Sequence, residues 1–201
     1  MKPRRQARRI LRRSYEPQSA RRQPLRGVLI LECQDKGDPG SEGRFLAHMF
    51  DLMEIPNQYI EVRTKEQFLG LLESAPYEFV RITTHGTVHG TEEEFEGFWT
   101  PSGTVRVEDL ESLKGCLTGR HIISTACCSG SLPFSRSLLK HSKCRCYIAP
   151  EGSPKFHNAI LFSHVFYHKY YVLKRPYKVA FQEYSKRYKN PHDFRLTRGG
   201  R

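Results

Sequence analysis

Two short stretches hold the residue types that could do covalent chemistry. "RITTHGTVHG", residues 81–90, runs from β-branched residues into His85-Gly86 and then His89-Gly90. "HIISTACCSG", residues 121–130, runs the same way into Cys127, Cys128, Ser129 and Gly130. A thiol is a good nucleophile only as thiolate, and a nearby imidazole lets it reach that form near neutral pH. Brought together, Cys127 and His85 would make a nucleophile and its base. The backbone N–H groups of Gly86 and Cys127 could then polarise a scissile carbonyl as an oxyanion hole. Plainer readings compete. Most His-Gly pairs at strand ends are polar loop residues, and Cys-Cys in a strand is more often core packing.

A metal site fits less well. The spacing of His85 and His89 aligns two ligands only on a helix, and Gly86, Thr87 and Val88 between them are poor helix material. Cys144 and Cys146, taken with Cys127 and Cys128, lack the paired Cys-x-x-Cys spacing of zinc ribbons. The loop "GDPGSEG", residues 37–43, has neither Gly-x-Gly-x-x-Gly nor a Gly-Lys-Ser/Thr ending, so it reads as a turn rather than a phosphate cradle. No metal and no organic cofactor is expected.

The surrounding pattern says how the two stretches could meet. "GVLILEC" (27–33), "QYIEV" (58–62) and "YEFVRITT" (77–84) read as strands. Between the first two, "RFLAHMFDLM" (44–53) carries Phe45, Leu46, Met49, Phe50 and Met53 on one helical face. Between the second and third, Thr64 and Gln67 form a capping box ahead of Phe68, Leu69 and Leu72. This β-α-β-α-β alternation implies a parallel sheet with helices on both faces. After His85 come an acidic loop, "TEEEFEG" (91–97), and a hairpin, "GFWTPSGTVRV" (97–107), turning at Pro101–Gly103. A short helix, "VEDLESLKG", and a fourth strand, "HIISTAC", follow. Pro133 opens a helix bearing Phe134, Leu138 and Leu139, and "CYIAP" is a fifth strand. A long helix runs from Phe156 to Tyr170, and Pro176 opens a last one, "YKVAFQEYSKRY".

In open parallel sheets, sites form beyond the C-terminal ends of strands. His85 and Cys127 both fall there, on consecutive main strands that can be neighbours. Because adjacent strand residues face opposite ways, only one of Cys127 and Cys128 is expected to line such a site.

The chain of 201 residues has a net charge of +12, unevenly spread. Residues 1–26 hold ten Lys/Arg against Glu16, and residues 168–201 hold ten against Glu183 and Asp193. The body between is mildly acidic. Residues 1–26 therefore read as a basic flexible arm, and residues 27–201 as one domain ending in a basic helix and tail. Basic ends either solvate the protein or attach it to nucleic acid, a membrane surface or an acidic partner. No run is long and apolar enough for a membrane span, and no secretory signal is visible. An Arg-rich start also suits an organelle transit peptide. Six scattered Cys do not form a secreted disulfide framework, so reduced thiols in a cytoplasmic setting are expected.

"RITTHG", "GFWTPSGTVRVEDLESL" and "ISTACCSG", in that order, resemble the caspase-like (clan CD) cysteine peptidases, and most of all their CHAT branch. The resemblance covers roughly residues 27–172. It implies a three-layer α/β/α caspase-like fold with a mostly parallel central sheet and a small hairpin after the third strand. It maps the catalytic pair onto His85 and Cys127 in preference to His89 and Cys128, with Gly86 and Cys127 as the oxyanion hole. It also makes the loop after the first strand part of the substrate pocket, where Asp35, Asp38 and Glu42 would favour Arg or Lys before the cut; the plainer reading is solvated acids. The Gln-Ala-Cys-x-Gly of caspases and the Asp two before the metacaspase nucleophile are absent, since Thr125 stands there. The expected activity is a cysteine endopeptidase acting on a protein substrate, regulated by a protein partner or by self-association. The alternative is an inactive scaffold whose basic ends bind nucleic acid or an acidic protein.

Overall fold

The computed structural model describes residues 23–89, 94–188 and 194–199. Most of the basic arm (1–22), Glu92 and Glu93 of the acidic loop, and residues 189–193 lie outside them. Six strands form the main sheet in the order β2-β1-β3-β7-β8-β9. They are β1 (Leu25–Glu32), β2 (Asn57–Glu61), β3 (Tyr77–Thr83), β7 (His121–Ser124), β8 (Cys146–Pro150) and β9 (Phe194–Arg198). All pair in parallel except β9, which runs antiparallel to β8. A separate antiparallel sheet holds β4 (Gly86–His89), β5 (Glu94–Thr100) and β6 (Gly103–Arg106). This is the mostly parallel α/β/α architecture, with a small antiparallel unit after the third strand, that the sequence pattern implied.

The sheet separates two apolar layers, as expected when buried parallel strands are covered on both faces. On one side Val80, Ile82 and Ile122 pack with Phe68, Leu72, Leu110, Phe134 and Leu138. These come from α2 (Lys65–Glu73), a 3-10 turn (Glu108–Leu113) and α3 (Leu132–Ser142). On the other, Val28, Ile30, Phe79 and Ile148 pack with Leu46, Phe50, Phe162 and Phe166. These come from α1 (Glu42–Leu52) and α4 (Phe156–Tyr167), with α5 (Tyr177–Arg187) closing the layer. Each such side chain contributes about 1.5–3 kcal/mol by leaving water.

The capping residues act as their types dictate. Thr64 accepts from the Gln67 N–H at 3.1 Å, and the Gln67 side chain reaches back to the Arg63 N–H at 2.9 Å. Helix α1 starts at Glu42, two residues before the expected start at Arg44, because Ser41 caps it by accepting from the Arg44 N–H.

Three elements depart from the sequence expectation. The main chain enters β1 at Leu25, inside the span expected to be arm. "GTVH", read as loop, is strand β4 paired with β5, so the hairpin is a three-stranded unit. Residues 194–198, read as tail, form β9; Phe194 is buried against Phe162 with ring centroids 3.9 Å apart.

Candidate active site

β3 and β7 are hydrogen-bonded neighbours, with Ile82 opposite Ser124. Their C-terminal ends therefore deliver His85 and Cys127 to the same place, and both line one cavity of about 60 Å³. Strand β7 stops at Ser124, where hydroxyls take over the backbone. Ser124 Oγ accepts from the Ala126 N–H at 3.1 Å, and Ser129 Oγ donates to the Ala126 carbonyl at 2.7 Å. Cys127 and Cys128 thus lie in a turn rather than in the strand. Cys128 adopts a left-handed conformation with φ of 58° and is buried, while Cys127 is half-buried and faces the cavity. The division between the two thiols is the expected one, but turn geometry produces it, not strand alternation.

Gly86 is pressed against this turn. A Cβ there would lie 2.0 Å from the Cys127 carbonyl oxygen, so no other residue fits without moving the backbone. The His85 carbonyl accepts from the Trp99 N–H at 3.0 Å, which makes His85–Trp99 a bonded pair and Gly86–Phe98 a non-bonded one. The Gly86 N–H accordingly points away from β5. The Cys127 N–H has no acceptor among the described residues. Both amides assigned to an oxyanion hole are thus left unused by secondary structure.

The half-exposed His85 ring is held by Asp38, with Nε2 and Oδ1 2.7 Å apart. Asp38 is itself fixed, because its Oδ2 accepts from the Asp35 N–H at 2.9 Å. With Nε2 committed to the carboxylate, Nδ1 is the imidazole nitrogen left for proton exchange. His89 lies at the far end of β4, is exposed, and is not part of the cavity lining.

The three pocket acids part company. Asp38 lines the cavity but is engaged by His85. Glu42 lines it and is buried, ion-paired with Arg81 of β3 and accepting from Thr125 Oγ at 2.9 Å. Asp35 is exposed, accepts from the Lys36 N–H and stays outside the lining. A carboxylate that sequence reasoning passed over, Glu32 at the end of β1, also lines the cavity. Neutral donors hold it: Ser41 Oγ at 2.5 Å, the Gly43 N–H at 2.8 Å and the Tyr59 hydroxyl at 2.7 Å. Its place at a strand's C-terminal end was the available signal. Of the loop acids beyond β4, Glu94 is exposed and Glu96 pairs with Arg106.

The other thiols sit in different surroundings. Burial pushes Cys33, which shares the cavity, up to about 12. It pushes Cys144 to about 12 and Cys116 to about 11. A second His–Cys contact exists, with His121 Nδ1 3.1 Å from Cys146 Sγ, but at the opposite ends of β7 and β8. Burial drives the Cys146 thiol far up, and burial followed by the charge of Arg145 drives His121 down to about 4. Both groups stay neutral and nothing reaches them from solvent, so this pair is structural. None of the six cysteines is in a disulfide. Among the described residues, no group of three or more His, Cys, Asp or Glu is arranged to hold a metal ion, and no helix is long and apolar enough to cross a membrane.

No protein-family model matches the chain, and no curated protein matches it. Among solved structures it is similar to a secreted C11 cysteine protease from Bacteroides thetaiotaomicron, determined in complex with an irreversible peptide inhibitor. The two share 14% identity at a TM-score of 0.47, over 83% of this chain and 60% of that one. The chain thus spans less than two thirds of that protease. So loose a likeness carries no weight of its own, and the fold class stands on the strand order and register described above.

Proposed function

We propose that this chain is a caspase-like cysteine endopeptidase, nearest in motif order to the CHAT branch, with Cys127 as nucleophile and His85 as acid–base. The observation that carries the reading is the shared cavity of His85 and Cys127 beyond two adjacent parallel strands. The Cys127 thiol passes its proton to His85 Nδ1, and the sulfur adds to a peptide carbonyl. The Gly86 and Cys127 N–H groups bind the resulting oxyanion. His85 returns the proton to the leaving amine, giving a thioester that water, activated by the same ring, hydrolyses. Asp38 accepts from His85 Nε2–H and keeps the imidazole in the tautomer and orientation this needs. Glu32, Asp38 and Glu42 line the cavity, and among the described residues only Glu42 of the three is paired with a Lys or Arg, the buried Arg81, so a Lys or Arg side chain before the scissile bond is the favoured occupant. The substrate is a protein, the setting is reducing and cytoplasmic, and a partner or self-association regulates cleavage.

A thiol-directed peptide probe with a basic residue at its reactive end tests this. Labelling of the wild type, with and without candidate partners, and none of Cys127→Ala is expected. Equal labelling of the Cys127→Ala variant would end the proposal.

A further inference from the structure

The described chain enters and leaves the main sheet at one edge. The parallel strands β1, β3, β7 and β8 all begin at that edge, and the antiparallel β9 ends there. Residues 1–22, with nine Lys/Arg and one acid, join the described chain just ahead of β1. The candidate active site is at the other edge.

The edge itself is basic. Over residues 112–182 the sequence holds eleven Lys/Arg and a single acid, Glu151. That acid follows β8 at the cavity edge and is paired with Arg195. At the starting edge, Arg145 immediately precedes β8, Arg198 sits opposite Cys146 across the β8–β9 ladder, and Lys178 lies in the first turn of α5. All three are exposed, and all three are within electrostatic reach of the Cys146 sulfur. None of them pairs with a carboxylate among the described residues. The half-buried Tyr177 ring, 4.6 Å from that of His121, lies among them. Glu78, at the start of β3, accepts from the Tyr170 hydroxyl at 3.2 Å, and Glu183, on the same helix as Lys178, is paired with Lys169.

Four cations on the other side of the fold behave differently. Arg44 and Arg63 share Glu61, Lys65 holds Asp109, and Arg106 holds Glu96. Arg44, Arg63, Lys65 and Arg106 are thus each held by a carboxylate, whereas Arg145, Lys178 and Arg198 are not. An uncompensated row of cations gains most from a polyanion, through counterion release. Guanidinium forks match phosphate geometry, and eight of the nine cations in residues 1–22 are Arg, as are Arg145 and Arg198.

We propose that the edge formed by Arg145, Lys178 and Arg198 binds the sugar–phosphate backbone of nucleic acid, without reading bases, and holds the cavity turned away from the strand. The proposal does not depend on peptidase activity.

The test uses the full chain with a labelled single-stranded RNA, a DNA duplex and phosphatidylserine vesicles, titrated between roughly 50 and 200 mM salt. The triple variant Arg145→Glu, Lys178→Glu, Arg198→Glu is compared with a charge-matched one, Arg44→Glu, Arg63→Glu, Arg106→Glu. The edge variant is expected to lose about tenfold or more in affinity and to flatten the log K against log salt slope by about 2 to 3. The matched variant should lose several-fold less. RNA and duplex arms tell which nucleic acid supplies the phosphates. Equal loss in both triples, no loss in the edge triple, or capture by vesicles alone would overturn the proposal. Thermal midpoints report folding, and the corresponding Gln triple must show the same order if the Glu triple is destabilised.

Discussion

Strand β7 has a histidine–cysteine pair at each end, and the two pairs sit in opposite surroundings. At its start, His121 touches Cys146 at 3.1 Å inside the core. At its end, Cys127 shares an open cavity with His85 of the neighbouring strand. Contact distance favours the first pair, but electrostatics forbids it. An imidazole pushed down to about 4 cannot hold a proton near neutrality, and a thiol pushed up by burial cannot release one. The second pair has what the first lacks: a carboxylate on the ring, free amides beside the sulfur, and access. Proximity of a thiol and an imidazole is therefore no evidence of a nucleophile until charge can be stabilised on both.

The sharpest way to break this contrast is to remove each sulfur in turn. Cys127→Ala should lower turnover of a basic peptide substrate at least about 10⁴-fold, whereas Cys146→Ala should leave the rate within about threefold and act on stability. Next in size, Asp38→Asn should lower kcat about 10³-fold by freeing the His85 ring, with a changed pH profile and little change in thermal midpoint. An unchanged rate would remove Asp38 from the site. The smallest effect concerns His121. Its folded value, about 4, lies below the ordinary 6.5, so the unfolded chain binds more protons between them. Stability is then full above about pH 6.5 and falls by up to about 3 kcal/mol as pH drops toward 4. His121→Phe should flatten that limb of a denaturation series, and an unflattened limb would show that His121 is not neutral in the fold.

Much of this was legible in residue patterns. Alternation of strand and helix signals gave the parallel sheet, and the strand-end rule brought His85 and Cys127 to one rim. What escaped was set by tertiary contacts. "GTVH" carries no strand pattern of its own and becomes β4 because β5 offers it a ladder. Phe194 and Leu196 alternate correctly for a strand, but five residues in a basic tail gave too short a signal to separate from loop. Asp38 looked like a substrate carboxylate because loop geometry, not spacing, decides that it meets His85. Arg81, a cation inside β3, is fully buried, and Glu42 arrives from the first turn of α1 to neutralise it, a pairing no sequence spacing announces.

The contact of Gly86 with the Cys127 carbonyl leaves the two backbones no slack. Gly86 opens β4, so the three-stranded unit and the thiol-bearing turn are mechanically one piece. A shift of the antiparallel unit would therefore be felt at the turn that bears the sulfur, because Gly86 sits where a neighbour's oxygen leaves no room for a side chain.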